Sequence, residues 1–376
     1  MAGFASFKAL CSQVGEKLRH PNRTPRKLIN FFLYLLEQKG LQHELAWNMP
    51  TEAFIDVCSL CTLRCPLCPT GIRLNVNRKG KITMGQFKPI VDQIAPWVFD
   101  LHLYNWGEPL LNREIFALVK YAKSKNVRVL ISSHLNHLPE GWEREMVESR
   151  LDVLMVSLDG VSQESYEKYR VGGNFDRVIE NIRRIVAEKK SRQSSRPFIE
   201  WRFLVMRHNE HEQDEARRMA AEIGVDRIVF EPVRVNTYLD IFTPISDLIE
   251  SDLDWLPVSD HRYDHDARAV RSPQGRCPQP WRWVSIDWNG DVFPCCSIYD
   301  DEFAFGNMLE RDFRRIWNGR AFREARRIVS RRGMREKSGN VCSYCHRYNV
   351  RYRKKYPNRS RLIERVRVHA AKGVEK

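Results

Sequence analysis

The chain has 376 residues, 43% of them apolar, which is the composition of an ordinary globular protein long enough for two domains. Its 62 basic and 47 acidic residues give a net charge of +15, which suits an acidic partner, but much of the excess lies near the ends, where a solvated helix or tail is the plainer reading. The opening stretch, MAGFASFKALCSQVGEKLRH, lacks a continuous apolar core and a small-residue cleavage site, so no secretory signal is expected. A cytoplasmic chain is expected, with reduced thiols whose clusters serve as metal ligands or catalytic groups.

In TPRKLINFFLYLLEQKG, Thr24 is the expected N-cap, Pro25 suits the first helical position and Gly40 is the expected stop. The apolar run from Leu28 to Leu36 is shorter than the roughly 20 residues a bilayer requires. Packing against the main domain is the favoured role of this helix. The second role is peripheral membrane contact through residues 25–39, with Arg19, Arg23, Arg26 and Lys27 meeting anionic lipid. Residues 1–50 are read as an N-terminal helical extension.

From residue 51 to 237, β-rich apolar runs alternate with amphipathic helical stretches. Six strands are expected, at 52–59, 98–106, 127–134, 151–159, 198–206 and 227–233, with helices in NREIFALVKYAKSKN, NFDRVIENIRRIVAEKKS and EHEQDEARRMAAEIG. Six units are too few for a closed eight-stranded barrel. The expected fold class is therefore α/β, a partial (β/α)6 TIM-like barrel, with its site at the C-terminal ends of the strands. Residues 238–272 read as an acidic, irregular linker. Residues 273–350 read as a small α+β domain, a hairpin plus helix held together by metal: WRWVSIDWNGDVFPCC alternates around Asn289-Gly290, a type I′ hairpin signal. Residues 351–376 form a basic tail.

The segment FIDVCSLCTLRCPLCPTG places Cys58, Cys61, Cys65 and Cys68 within eleven positions. Zinc sites usually draw on two ligand pairs a dozen or more residues apart, and here the pairs are three residues apart. A two-cluster ferredoxin run would show successive spacings of two, two and three before Cys-Pro. Setting Cys58 aside leaves Cys61-x3-Cys65-x2-Cys68 in a loop directly after the first strand, three thiolates able to ligate three irons of a [4Fe-4S] cluster and leave the fourth open.

This three-cysteine spacing resembles the signature of the radical S-adenosylmethionine (radical SAM) enzymes, and the resemblance runs over roughly residues 50–350. It implies a partial barrel whose cluster binds SAM at the open iron, cleaves it to a 5′-deoxyadenosyl radical and so removes a substrate hydrogen atom, with a flavodoxin- or ferredoxin-type electron donor. NWGEP, at the end of the second strand, is similar to the family's Gly-Gly-Glu-Pro motif, which implies SAM-ammonium contacts for Gly107 and Glu108. VSLDG followed by YEKYRVGG is similar to another family segment, implying Ser157 at the ribose or carboxylate and Arg170 at the carboxylate. Ser133 and Asn136 stand where the family has a ribose-side or substrate-side contact, and Leu204 or Val205 is expected near the adenine. His134 and His137 read as ordinary loop residues.

Cys277, Cys295, Cys296, Cys342 and Cys345 form a second group that resembles the family's SPASM/twitch extension. No cysteine follows Cys345, so the resemblance implies one auxiliary [4Fe-4S] cluster held by Cys277, Cys295, Cys342 and Cys345, moving electrons rather than binding substrate. Cys296 is a neighbour able to replace Cys295. The expected substrate is a sugar or aminocyclitol, a lipid-linked molecule or a peptide, and no residue stands out as acid, base or hydrogen donor. A zinc-binding, RNA-associated, non-catalytic protein is the alternative, with nucleic acid the weaker partner.

Overall fold

The structure, a computed structural model, describes residues 11–72, 79–233, 254–259, 263–264, 269–270, 277–298, 301–330 and 339–343. The basic tail, most of the linker and Cys345 lie outside these residues. Residues 11–18 are helical. Helix α1 (Pro25–Leu36) begins as expected: the Thr24 hydroxyl accepts the Lys27 N–H at 3.2 Å and Pro25 occupies the first turn. It ends at Leu36 rather than at Gly40 and continues into one wide turn, Glu37–Leu41. The buried Glu37 carboxylate there accepts the backbone N–H groups of His43 (2.8 Å) and Trp47 (3.3 Å), which folds the chain back over the helix end.

The barrel then follows in chain order. It comprises β1 (Glu52–Ile55), α2 (Met84–Ile94), β2 (Asp100–His102), α3 (Ile115–Ser124), β3 (Arg128–Ser133), α4 (Trp142–Glu148), β4 (Val153–Ser157), α5 (Gln163–Tyr169), α6 (Phe175–Ser191), β5 (Phe198–Val205), α7 (Gln213–Ile223) and β6 (Arg227–Pro232). All six expected strands are present, trimmed at their ends, and β1 to β6 pair in parallel in sequence order. Alternation decides the faces. Ala53, Ile55, Val129, Ile131, Trp201 and Phe203 join one core beneath the helices, while Phe54, Leu130, Met155 and Arg202 lie on the other face.

Beyond β6, a short antiparallel pair, β7 (Tyr263–Asp264) and β8 (Ala269–Val270), falls within the expected linker. Then come α8 (Gln279–Arg282), β9 (Trp283–Ile286), β10 (Val292–Phe293), α9 (Phe313–Trp317) and α10 (Arg320–Val329). The hairpin is not free-standing. Strand β9 pairs in parallel with β1, from Glu52 opposite Trp283 to Ile55 opposite Ile286, so the hairpin extends the barrel sheet to eight strands. Its turn also departs from type I′, which needs positive φ at both central residues. Only Gly290 has it, at +90°, the Gly290 N–H bonds the Asp287 carbonyl (2.9 Å), and Asp287 faces Asp291. This is a three-residue loop with a glycine bulge.

The N-terminal extension is fastened to both regions. Phe31, Tyr34 and Leu35 pack with Phe99 and Trp281, so the packing role expected for α1 is present. Asp100, at the start of β2, accepts Lys17 (3.2 Å) and Arg128 (2.5 Å). The fully buried Arg326 donates to the carbonyls of Pro280 (2.9 Å) and Glu44 (3.0 Å) and lies against the rings of Trp317 and Phe322. No helix among the described residues is long and apolar enough to cross a membrane.

Candidate active site

The loop after β1 carries Cys61, Cys65 and Cys68 on the C-terminal edge of the sheet. Its turns are fixed by backbone bonds: Cys68 N–H to Cys65 (3.1 Å), Ile72 N–H to Cys68 (2.9 Å) and Arg64 N–H to Val171 (3.0 Å). The three thiols share an apolar surround with Leu63, Leu67, Tyr169 and Met206. Burial pushes the Cys61 thiol up to about 12 and Cys65 up to about 11, and raises Cys68; Cys65 and Cys68 raise Cys61 further. A cavity of about 490 Å³ opens beside the loop, lined by Cys61, Thr62, Arg64, Gly71 and Lys79 among others. Among the described residues no three Cys, His, Asp or Glu side chains converge as a site for one metal ion. Soft donors on one loop, Cys65 buried and Cys61 and Cys68 half-buried, within electrostatic reach of one another beside a cavity, fit an iron–sulfur cluster. Cys58 is separate from the other three: it is buried at the strand end, bridged to Lys81.

NWGEP packs directly against this loop. The Glu108 N–H bonds the Leu60 carbonyl (2.7 Å), and a Cβ added at Gly107 would stand 1.7 Å from the Cys58 carbonyl oxygen, so only glycine allows that approach. The Glu108 carboxylate, expected by resemblance at the SAM ammonium group, is held by protein donors. One oxygen accepts the Leu110 N–H (3.0 Å) and the Ser133 hydroxyl (2.8 Å); the other accepts the His134 N–H (3.0 Å) and lies 3.2 Å from His134 Nε2. Ser133 in turn accepts the Leu135 N–H at 2.8 Å.

His134 is the residue that sequence reasoning passed over. Its Nδ1 accepts the Asn136 N–H (3.1 Å), so the proton of the neutral ring sits on Nε2, facing Glu108 and, at 3.4 Å, Thr62 of the cysteine loop. Burial lowers its pKa against the pull of Glu108, consistent with a neutral ring. Asn136 is committed to Tyr166 (2.7 Å), the His134 carbonyl (3.0 Å) and the Asn174 N–H (2.7 Å). His137 packs edge-on to Trp142, away from the cysteines.

Arg170 closes the floor. Its Nε donates to the fully buried Asp159 at 2.5 Å and its Nη1 to Cys65 Sγ at 3.9 Å; Asp159 also accepts the Leu204 N–H at 2.8 Å. The cation therefore opposes burial at Cys65 and favours its thiolate. The two residues expected near the adenine separate: Leu204 packs against the apolar cluster around the cysteine loop, whereas Val205 belongs to the core beneath the helices. Ser157 ends β4 on the face opposite the helices, 3.5 Å from Ser132. On the same face the Tyr104 hydroxyl lies 3.2 Å from His102 and 4.0 Å from the Met155 sulfur, and Arg202 pairs with Glu200 at 2.7 Å.

The second cysteine group adjoins the first region through NWGEP. With the Asn105 amide turned to satisfy its partners, it donates to the Cys296 carbonyl and accepts Trp106 Nε1, both at 3.1 Å. Gly80, on the return from the cysteine loop, lies under Trp288 of the hairpin, where a Cβ would come within 2.5 Å of the indole. Cys277 is buried ahead of α8, Cys295 follows β10, and Cys342 sits in the turn Val341–Ser343, its N–H bonded to Asn340 at 3.1 Å. Cys345 lies outside the described residues.

Two family models match the chain. The Radical SAM superfamily matches residues 55–220, and SPASM, an iron-sulfur cluster-binding domain, matches residues 277–346. The mycofactocin maturase MftC of Mycobacterium tuberculosis is 26% identical over 326 residues, covering 82% of this chain and 78% of its own. The AdoMet-dependent heme synthase of Methanosarcina barkeri is 23% identical over 336 residues, covering 79% and 89%. Among solved structures, SAM-bound SuiB of Streptococcus suis superposes with a TM-score of 0.56 at 14% identity, covering 81% of this chain and 71% of SuiB. Together the two models span more than half of the chain and decide for SAM with iron–sulfur clusters over zinc. The chain belongs to the radical SAM superfamily, a partial-barrel enzyme with a C-terminal SPASM-type iron–sulfur domain.

Proposed function

We propose that this enzyme modifies a peptide, holding its SAM-binding [4Fe-4S] cluster on Cys61, Cys65 and Cys68 and one auxiliary [4Fe-4S] cluster on Cys277, Cys295, Cys342 and Cys345. The first cluster, when bound and reduced by a flavodoxin- or ferredoxin-type donor, supplies the electron that cleaves SAM. The observation that carries the reading is the set of three thiols on one loop at the C-terminal edge of a parallel sheet, Cys65 buried and Cys61 and Cys68 half-buried, with Arg170 3.9 Å from Cys65. Arg170 favours the Cys65 thiolate, and Asp159 fixes the guanidinium. Glu108, Ser133 and His134 hold the loop's shape. The Gly107 carbonyl and the Ser157 hydroxyl are then the groups that face SAM.

The peptide assignment draws on two relatives: one is named a maturase, and SuiB has also been solved bound to its precursor peptide SuiA. In this chain the sheet face opposite the helices offers both charge signs and an aromatic hydroxyl, Arg202, Glu231 and Tyr104, which suits a peptide better than a hydrocarbon. The test is anaerobic turnover of reconstituted enzyme with candidate peptides deuterated at Cα and Cβ. Deuterium in 5′-deoxyadenosine is expected. Deuterium transfer from sugar or tetrapyrrole substrates alone would overturn the peptide assignment.

A further inference from the structure

Seven of the ten exposed large hydrophobic residues among those described fall between residues 18 and 47, within the N-terminal extension. Helix α1 accounts for the centre of this patch. Its inner face buries Phe31, Tyr34 and Leu35, while Ile29, Phe32 and Leu36, at i, i+3 and i+7, stand 62%, 47% and 49% exposed on the outer face. The patch continues past the helix end, because Glu37 holds the return loop there and leaves Trp47 54% exposed, stacked on His43 at 4.3 Å. At the opposite end, Arg19, Arg23 and Arg26 are exposed beside the helix N-terminus, with Glu16 the acidic neighbour. An apolar outer face bordered by exposed arginines is the pattern of a helix that lies in a lipid interface.

We infer that α1 and the loop after it dock the enzyme on an anionic lipid surface. The position of the helix gives that surface a defined side. The Asn30 side chain bonds Met49 ahead of β1 (3.0 Å), Phe31 packs on Phe99 ahead of β2, and Lys27 donates to the Asn126 carbonyl ahead of β3. All three anchor points lie at the N-terminal ends of the strands, and the cysteine loop lies at the C-terminal ends. Docking therefore covers the base of the barrel and turns the cysteine loop away from the lipid. The membrane holds the enzyme, and substrate reaches it from the aqueous side.

The experiment is flotation of the full, anaerobically reconstituted chain with vesicles of phosphatidylglycerol and phosphatidylcholine, against phosphatidylcholine alone. Flotation with the anionic vesicles is expected, falling as salt is raised. The double variant Ile29→Asp/Phe32→Asp should bind at least about tenfold more weakly. Arg19→Gln/Arg23→Gln/Arg26→Gln should lose at least about tenfold on anionic vesicles and little on neutral ones. Both variants should keep the wild-type rate of SAM cleavage, which shows that they are folded. Absence of flotation by the wild type, salt-independent flotation, or equal flotation by the aspartate variant would overturn the inference. So would a wild-type dimer that does not float and that the aspartate variant dissociates, since that assigns the face to a second copy of the chain.

Discussion

Replacing Glu108 by Gln separates a carboxylate that shapes the site from one that binds SAM. In the structure its oxygens accept three hydrogen bonds, from Leu110 N–H, Ser133 Oγ–H and His134 N–H, with His134 Nε2 3.2 Å away, in a position only 2% exposed. Gln keeps one oxygen, and its amide nitrogen must then meet at least one of these donors. The Ser133 hydroxyl can rotate, but the backbone N–H groups of Leu110 and His134 cannot, so at least one loses its acceptor in a buried site. A bond to a charged group contributes about 1.5–3 kcal/mol, and a buried unsatisfied donor costs about 1–3 kcal/mol. The substitution should therefore destabilise the SAM-free, cluster-free protein by about 2–5 kcal/mol, read as a lower urea midpoint. A midpoint within about 0.5 kcal/mol of wild type, combined with lost SAM binding, would refute the reasoning and return Glu108 to the role that family resemblance gave it.

Three further outcomes are expected. Burial raises the Asp56 carboxyl to about 6, so the folded state favours its protonated form, and wild-type stability falls as pH rises from about 4 through about 6; Asp56→Asn should match wild type at pH 4 and exceed it at pH 8 by about 2–3 kcal/mol in urea titrations. Gly107→Ala should cost about 3 kcal/mol or more and lower iron content, whereas Gly85→Ala, with no atom nearer than 3.9 Å, should be neutral or stabilising, as calorimetry of both will read. Because burial lifts the Cys61 and Cys65 thiols to about 12 and 11, above their ordinary range, apoprotein stability should fall as pH rises from about 9 towards 12. Cluster loading releases those protons, so iron uptake should strengthen with pH and the loaded protein should lose this alkaline sensitivity.

The barrel was legible because parallel strands buried on both faces read as unbroken β-rich runs, and the cysteine loop because its ligands are neighbours in sequence. What escaped depends on partners distant in sequence. Strand β9 reads as half of a local hairpin, and nothing in WRWVSI announces that its other edge pairs with Glu52–Ile55, more than two hundred residues earlier. The Asn289-Gly290 pair signals a hairpin correctly, but Asn289 keeps negative φ because the loop is one residue longer than type I′ requires. His134 is a lone loop histidine until Glu108 and Thr62 are brought to it from two other loops. Arg326 looks like one more cation of a basic helix, yet it is the buried link between the extension and the C-terminal region.

The most direct measurement of the central claim is iron content with SAM cleavage, comparing anaerobically reconstituted wild type with the Cys61→Ala/Cys65→Ala/Cys68→Ala variant. Two [4Fe-4S] clusters predict about eight irons in the wild type and about four in the variant, with 5′-deoxyadenosine formed only by the wild type. Equal iron in the two proteins, or 5′-deoxyadenosine formed by the variant, would contradict it.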